Sequence, residues 1–252
     1  MGKYLKLFET HSQYEQAQSS LILPNVSLCE DQPTVVHYNP STPPTPSHDF
    51  VEIGGIKWAT MNIGANSVTD NGLYFAWAET TGYTADQVTG SSLPHKDFQE
   101  SDNVYYSDDS YTKYNSGDDL VTLQSGDDAV TAAWGGNWRM PTVSEWQALG
   151  EAVDNGDVTS AWTADYQGSG VSGLVLTDKT DSSKVLFFPA AGNCSYGRVY
   201  NVGSYGRYWS SSLSAGYGED YAYSMYFYSG GVGWDGYDGR FYGYSVRGVL
   251  GD

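Results

Sequence analysis

The sequence predicts an α+β domain, and three observations support this fold class. The chain has 252 residues with 30 Gly, 22 Tyr and 8 Trp, and aromatic residues make up 15% of it. This composition favours short strands, tight turns and ordered loops over a helical bundle, and each aromatic side chain can remove a large area from water. Several segments have the apolar patterning of strands, and one has a clear helical period.

Four strands are predicted between the start of the domain and residue 190. The segments at 51–60 and 73–79 read as strands because they are rich in apolar and aromatic residues. The segments at 173–179 and 184–190 predict a β-hairpin, and the second of them ends at Pro189, which cannot donate to a sheet ladder.

The clearest helix is predicted at 141–153. Thr142 followed three residues later by Glu145 is the sequence pattern of a capping box. The Asn155-Gly156 pair is a helix stop signal. Four apolar residues recur at helical spacing and predict one buried face: Val143, Trp146, Leu149 and Val153.

A proline-rich segment divides the chain. Residues 39–48 contain four prolines, which favour an extended linker. The 38 residues before it are too few to fold alone in most cases. We therefore expect residues 1–38 to be an attachment or oligomerisation segment, and residues 49–252 to form the main domain. A homo-oligomer, with a trimer favoured, is expected because multivalency strengthens weak binding.

The net charge of −18 excludes some classes of partner. Nucleic acids and anionic membranes both require a basic patch, so neither is an expected partner. The chain has no apolar run of the ~20 residues that span a bilayer. Its first 16 residues carry charges every few positions, and no secretory signal peptide is recognised there.

Metal and cofactor sites are not expected. The two cysteines, Cys29 and Cys194, are far apart, which leaves one disulfide open but favours two free thiols. With two cysteines and four histidines a zinc cage is disfavoured. Three Asp pairs, at 108–109, 118–119 and 127–128, leave calcium open. They lack calcium-loop spacing, so turn and helix-start charges are favoured, with Asp128 capping a helix at 129–134.

The C-terminal stretch differs in kind from the rest. Residues 193–247 contain 12 Tyr, 11 Gly and 9 Ser, and their charges are balanced. Tyr, Ser and Gly dominate antibody binding loops, where tyrosine supplies contact area at low entropic cost. The segment 230–239 has five glycines and almost no aliphatic residue, so it is predicted to be a shaped surface loop. A ligand-free, tyrosine-rich edge of a β domain is the alternative.

Six ordered motifs between residues 50 and 250 resemble a known family. They are IKWATMNIGA (56–65), LYFAWAET (73–80), GGNWRMPTVSEWQAL (135–149), FFPAAG (187–192), GRYWSSS (206–212) and GYSVRGV (243–249). The chain resembles the Fibrobacter–Bacteroides major paralogous domain, which is similar to the formylglycine-generating-enzyme subtype of the C-type lectin fold. The resemblance implies that fold for residues 49–252.

The C-terminal stretch also resembles target proteins of diversity-generating retroelements, which mutate template adenines. Related proteins carry asparagine-rich runs at the stretch that corresponds to 224–242. This chain has no asparagine after Asn201, and the Ser, Tyr, Gly and Asp found in the stretch are reachable from asparagine codons by changing adenines alone. Together with Trp234, these positions form the predicted ligand-binding set, within a variable region at about 193–247: Ser224, Tyr226, Tyr228, Gly231, Gly233, Trp234, Asp235, Gly236, Tyr237, Asp238, Gly239 and Tyr242.

The resemblance implies a ligand-binding adhesin, a receptor-binding or tail protein of a Bacteroides phage or prophage. Its expected partners are a host-surface protein or glycan, and phage tail proteins through the N-terminal segment. Its expected location is the virion tail, or the extracellular space or cell surface. The alternative is a bacterial surface or secreted protein- or carbohydrate-binding module of the same fold.

An enzyme is not expected. The formylglycine-generating enzymes that the scaffold resembles need a cysteine pair in the domain, and here the domain has Cys194 alone. No catalytic motif is recognised, and the four histidines are isolated in sequence.

The predicted set should form one exposed patch. In a strand, residues 224, 226 and 228 point the same way, and the following loop would carry Trp234 and Tyr237 at its tip, with Tyr242 on the next strand. Residues in strand and helix patterns are predicted to be scaffold: Trp58, Trp77, Trp138, Arg139, Trp146, Trp209 and Arg247.

Overall fold

The computed structural model describes residues 48–251. The predicted attachment segment at 1–38, nearly all of the linker at 39–48, and Cys29 lie outside the described residues. His48, which the sequence assigns to the linker, packs on the domain. Its ring stacks on Trp134 with 4.0 Å between the centroids. The packed domain therefore includes His48, one residue before the predicted boundary.

The strands within the described residues are short and numerous. In chain order they are β1 (Phe50–Ile53), β2 (Ile56–Asn62), β3 (Tyr106–Ser107), β4 (Ser110–Tyr111), β5 (Trp138–Arg139), β6 (Val158–Thr163), β7 (Gly173–Asp178), β8 (Val185–Pro189), β9 (Asn193–Ser195), β10 (Arg198–Tyr200), β11 (Tyr205–Leu213), β12 (Tyr221–Tyr228), β13 (Gly231–Gly239) and β14 (Arg247–Leu250). The α-helices are α1 (Ala85–Val88), α2 (Ala129–Trp134) and α3 (Val143–Asp154). Short 3-10 turns lie at 100–102, 166–168 and 215–217.

These strands form small antiparallel sheets. One sheet has the order β1-β2-β14-β5 and so joins the first and last strands of the described chain. Two three-stranded sheets have the orders β6-β7-β8 and β11-β12-β13. Two-stranded ribbons are formed by β3 with β4 and by β9 with β10. The class is therefore mixed α and β, with mostly small antiparallel sheets and few helices, as the sequence predicts at this level.

The first predicted strand is a hairpin. β1 and β2 pair around Gly54 and Gly55, whose φ angles of 62° and 77° suit glycine. The prediction of a second strand at 73–79 is wrong. Only isolated bridges occur there, at Tyr74 and Phe75. Trp77 is fully buried in this segment, so its apolar pattern reflects burial of an irregular segment.

The predicted helix is confirmed as α3. The Thr142 side chain accepts a hydrogen bond from the Glu145 backbone N–H, and the Glu145 side chain accepts one from the Thr142 N–H, which completes the capping box. Trp146 and Leu149 are buried, and the helix ends at Asp154 with Asn155 as its C-cap. The predicted hairpin is also confirmed, because residues 173–177 of β7 pair with residues 185–189 of β8.

Aromatic residues fill two main cores. In one, Trp58 stacks on Trp146 of α3 with 4.6 Å between ring centroids. In the other, Trp209 stacks on Tyr244 at 4.3 Å. The six predicted scaffold residues other than Arg139 are buried, with exposed fractions of 3% or less. Arg139 is partly exposed and forms a bidentate ion pair with Glu145, at 2.7 Å for each bond.

Arg247 is fully buried and ties three elements together, as its scaffold role predicts. Its guanidinium donates to Asn62 Oδ1 at 2.9 Å, to the Ala59 carbonyl at 2.8 Å and to the Phe187 carbonyl at 2.9 Å. Burial lowers its pKa to about 10, so the side chain stays charged at neutral pH. None of the helices within residues 48–251 combines the length and apolar character needed to cross a lipid bilayer.

Candidate functional site

The candidate site is the β12–β13 hairpin with its neighbour β11. The segment 230–239, predicted to be a surface loop, is mostly the edge strand β13, so this prediction is wrong. Its backbone hydrogen bonds are made to β12. A strand needs paired backbone groups, but it does not need aliphatic side chains of its own when its neighbour supplies the packing.

Tyrosine rings from β12 explain why β13 is rich in glycine. A Cβ atom at Gly233 would lie 2.3 Å from the Tyr226 ring, and one at Gly236 would lie 2.7 Å from it. The ring of Tyr226 therefore lies across the edge strand, in space that any larger residue would occupy. Glycine in a strand often marks such a close approach, and a cross-strand aromatic ring compensates for its missing side chain.

Alternation along β12 gives the hairpin two faces. The first, which we call the Arg207 face, carries Tyr226 and Tyr228, and Arg207 of β11 pairs directly with Tyr226. The second, which we call the Tyr237 face, carries Tyr237 and its cross-strand partner Tyr223. Residues 223 and 228 are an odd number of positions apart, so they point to opposite sides of the sheet. The prediction of a single patch is therefore wrong.

An ion pair lies on the Arg207 face. Arg207 donates to Asp238, and Ser224 Oγ donates to the same Asp238 oxygen at 3.0 Å. The guanidinium carbon lies 5.6 Å from the ring centroids of both Tyr226 and Tyr244. Burial raises the pKa of Asp238, while the charge of Arg207 opposes this shift. The face thus offers a charge-balanced donor and acceptor between aromatic rings.

Tyr228 extends this face toward the hairpin turn. Its side chain is 38% exposed, and its ring stacks on Tyr205 of β11 with centroids 5.1 Å apart. Gly230 in the turn lies under the same ring, because a Cβ there would be 2.5 Å from it. The ring is therefore held in place while one side remains open to solvent.

The Tyr237 face carries a second exposed aromatic group. Tyr237 is 41% exposed, and Tyr217 stacks on it with 3.7 Å between ring centroids. The edge of Tyr221 approaches Tyr237 with a centroid separation of 6.0 Å. Tyr217 comes from the turn that precedes β12, so two different segments build this group.

Two predicted site residues are buried, and two half-buried ones lie where the sequence does not predict them. Ser224 and Gly239 are buried: Ser224 lies against Asp238, and the Phe241 ring lies beside Gly239. Trp234 does not lie at a loop tip: it packs on the core, and its ring occupies the space beside Gly150 of α3. Tyr242 lies outside the strands, stacked on Phe241 with 4.4 Å between centroids.

The other predicted residues are at least partly accessible. Asp235 and Gly231 are exposed, and four further members are half-buried: Tyr226, Gly233, Gly236 and Asp238. Six contributors to the two faces are absent from the predicted set: Tyr205, Arg207, Tyr217, Tyr221, Tyr223 and Tyr244. All six lie within the expected variable region, and only their contacts in the folded domain reveal their place.

The Asp127–Asp128 pair stabilises the fold. Asp128 accepts hydrogen bonds from the backbone N–H groups of Val130 and Thr131 at 2.9 Å, as the predicted N-cap of α2. Asp127 accepts from Lys113, Tyr105 and Tyr114. Within residues 48–251, no cluster of three or more His, Cys, Asp or Glu side chains has the arrangement of a metal site.

Comparison with known proteins adds one match. A family model described as "Domain of unknown function (DUF8237)" matches residues 176–249. The matched range runs from β7 into β14, and so it includes both the complete β11-β12-β13 sheet and the buried Arg247. No curated protein and no solved structure matches the chain.

Proposed function

We propose that the chain is a ligand-binding adhesin that uses the Arg207 face of the β12–β13 hairpin. The observation that carries the proposal is the aromatic surface on that face, where Tyr228 is 38% exposed and the half-buried ring of Tyr226 lies against Gly233 and Gly236. Tyrosine combines a large contact area with low conformational entropy, and such residues are frequent anchors of binding surfaces.

The Arg207–Asp238 pair supports recognition of a polar ligand. The pair has no net charge, so it can present donors and acceptors without demanding a charged ligand. Its flanking rings, Tyr226 and Tyr244, limit access of water. Ligand hydroxyls or backbone amides would suit this arrangement, which agrees with the expected partners, a host-surface protein or glycan.

The division between framework and surface supports the C-type-lectin-like assignment. The motifs that carry the resemblance include the buried residues Trp58, Trp146, Trp209 and Arg247. The stretch that would vary lies on an exposed hairpin. In a domain of formylglycine-generating-enzyme subtype, the framework would stay constant while this hairpin changes sequence. Such a domain would have buried framework residues and an exposed hairpin.

The environment of Cys194 favours a binding function over an enzymatic one. The thiol is buried and unpaired, and burial raises its pKa, which disfavours the thiolate needed for copper chemistry. Its backbone instead bridges to Gly243, and its side chain packs in a small core with Phe98. These contacts fit a structural role.

The retroelement part of the proposal is tested on the gene. We expect the nucleotides that encode residues 224–242 to differ from a nearby repeat only where that repeat has adenine. A neighbouring reverse-transcriptase gene among tail genes would favour the phage protein. A longer version with an export signal would favour the bacterial surface module. Differences at template C, G or T of comparable frequency would contradict diversification.

The binding part is tested on the protein. Fluorescently labelled protein is incubated with a panel of intact Bacteroides strains, and bound fluorescence is measured for the wild type, Tyr228→Ala and Tyr237→Ala. The two tyrosines have nearly equal exposure, 38% and 41%, and lie on opposite faces, so each is a matched control for the other. We expect Tyr228→Ala alone to reduce binding to a strain that the wild type recognises. Equal binding by the wild type and Tyr228→Ala would contradict the proposal.

A further inference from the structure

A cavity of about 310 Å³ lies at the end of the hairpin sheet, outside the predicted ligand-binding set. It is bounded by the segment 115–121 and by the end of β11 with the turn that follows it. Leu120, Val121 and Leu213 make part of its lining apolar, and Asp119 and Glu219 add carboxylates.

The two walls of the cavity are fixed to each other. Glu219 accepts hydrogen bonds from the Ser116 backbone N–H at 3.1 Å and from Ser116 Oγ at 3.3 Å. The backbone N–H of Leu213 donates to the Val121 carbonyl at 2.9 Å. A preformed cavity binds without the entropic cost of ordering its walls.

The carboxylates at this cavity lack a counter-ion among the described residues. Glu219 and Asp119 form no ion pair there, and the nearby cations are already used. Lys113 pairs with Asp127. The buried Arg240 donates to backbone carbonyls, including that of Glu219 at 3.1 Å. Two carboxylates beside an apolar lining therefore favour a cationic ligand.

An aromatic group borders the same turn. Tyr217 immediately precedes Gly218, which lines the cavity, and Tyr217 is 57% exposed. Its ring is held by stacking on Tyr237, at 3.7 Å between centroids. A flat, supported and exposed ring is suited to stacking with a guanidinium plane.

We propose that this cavity receives an arginine side chain of a protein partner. The methylene stem would lie along Leu120, Val121 and Leu213, the guanidinium would reach the carboxylates of Glu219 and Asp119, and Tyr217 would cover its plane. Long basic side chains commonly place their methylene stem along an apolar surface and keep their charged head in a polar environment. The net charge of −18 favours association with a basic partner surface. This site is separate from the Arg207 face and does not depend on it.

The test uses the full chain, labelled with ¹⁵N, and two blocked amino acids as probes. N-acetyl-arginine methylamide carries the guanidinium, and N-acetyl-citrulline methylamide has nearly the same shape without the charge. We expect saturable shifts of the Ser116 and Gly218 amide signals with the arginine probe, and binding at least roughly tenfold weaker with citrulline, since the carboxylates lose their ionic partner. Added salt should weaken the arginine response.

Variants assign the response to the cavity. We expect Glu219→Gln, Asp119→Asn and Tyr217→Ala each to weaken arginine binding by a factor of about three or more. Glu52→Gln removes an exposed carboxylate on β1 and should leave it unchanged. Asp119 keeps the test informative if Glu219→Gln disturbs the fold through Ser116, because the Asp119 carboxylate forms no described hydrogen bond.

Four results would overturn the proposal. They are an equal response to citrulline, shifts confined to other parts of the chain, an arginine response that survives both carboxylate variants, and no response to arginine at millimolar concentration. Saturation of the same amides by a neutral oligosaccharide, without any response to arginine, would assign the cavity to glycans instead.

Discussion

The framework cores and the hairpin faces use the same class of residue in opposite ways. Trp58 and Trp209 are fully buried, whereas Tyr228 and Tyr237 are 38% and 41% exposed. In the framework, Trp209 Nε1 donates to the Phe75 carbonyl at 2.9 Å and Trp77 Nε1 donates to the Ser210 carbonyl at 2.8 Å, both inside the domain. On the hairpin faces, rings stack mainly on other surface rings.

This difference separates stability from recognition. A buried tryptophan contributes by leaving water and by filling space, so its replacement costs folding energy. A surface tyrosine that stacks on a neighbour leaves one flat side open, and exposed aromatic area of this kind indicates an interaction site. Aromatic content alone therefore predicts neither role, and the position of each ring in a sheet decides it.

The largest effect should follow from breaking the framework at Arg247. Arg247→Ala would leave the oxygens of Asn62, Ala59 and Phe187 buried without their donor. Each unsatisfied buried acceptor costs about 1–3 kcal/mol, so we expect the free energy of unfolding to fall by about 3 kcal/mol or more. Urea unfolding measures it. Unchanged stability with lost ligand binding would contradict the scaffold assignment.

The next largest effect should come from the exposed tyrosines, with folding preserved. The sequence predicts one patch for Tyr228 and Tyr237, but the two residues lie on opposite faces of the hairpin. We expect Tyr228→Ala to weaken binding to a recognised cell surface by about 1–3 kcal/mol, the range for aromatic anchors. Tyr237→Ala should instead weaken binding of the arginine probe. Titration of each variant with each target measures both effects, and equal losses in both variants for one target would restore the single patch.

A smaller effect should result from a methyl group on the edge strand. In Gly233→Ala the added Cβ would lie 2.3 Å from the Tyr226 ring, which must move away. We expect a loss of about 1 kcal/mol in unfolding free energy, since the ring is at the surface and can relax.

Gly231→Ala is its matched control on the same strand. A Cβ at Gly231 meets no atom within 4 Å, so we expect an almost unchanged melting temperature. Thermal unfolding of both variants provides the comparison. Equal melting temperatures for Gly233→Ala and Gly231→Ala would show that the position of the Tyr226 ring does not require glycine at residue 233.

The smallest expected effect is a loss of folding stability in acid, and it arises from a framework carboxylate, Asp127. Burial acts to raise the pKa of Asp127, but hydrogen bonds from Lys113, Tyr105 and Tyr114 outweigh it and lower the pKa. The stabilisation from this carboxylate is therefore complete above the ordinary carboxyl pKa of about 4 and disappears as the pH falls through the lower folded-state value.

Unfolding curves between neutral pH and about pH 2 test this contribution. We expect stability to fall with acidification in the wild type and to fall less steeply in Asp127→Asn. Glu52→Gln, which removes an exposed carboxylate of β1, should keep the wild-type pH dependence. A wild-type slope in Asp127→Asn would mean that other carboxylates carry the acid sensitivity.

Local patterns were sufficient for part of this protein. The capping box of Thr142 and Glu145 predicts the start of α3, because both partners lie within one helical turn. Asp128 as the cap of α2 is predictable for the same reason. The pairing of β7 with β8 also follows from two apolar runs joined by a short connection.

The candidate site was only partly predictable. Tyr226 and Tyr228 were identified as neighbours on one face, because alternation along a strand depends on sequence alone. The sequence predicts a loop at 230–239 and so places Tyr237 beside them, but this segment pairs with β12 as a strand. Ser224 is buried where it contacts Asp238 of the neighbouring strand, and the pattern within a single strand does not predict such a contact.

The sequence by itself determined the helix caps, the hairpin of β7 and β8, the identity of the buried tryptophans and the direction of Tyr226 and Tyr228. Only the tertiary structure decided which tyrosines stay exposed, which face each one occupies, and that Arg207 lies between the rings of Tyr226 and Tyr244. The physical reason is range. Caps and alternation depend on residues a few positions apart. Exposure depends on which distant segment packs against a side chain, and Trp234, for example, packs against α3 beside Gly150.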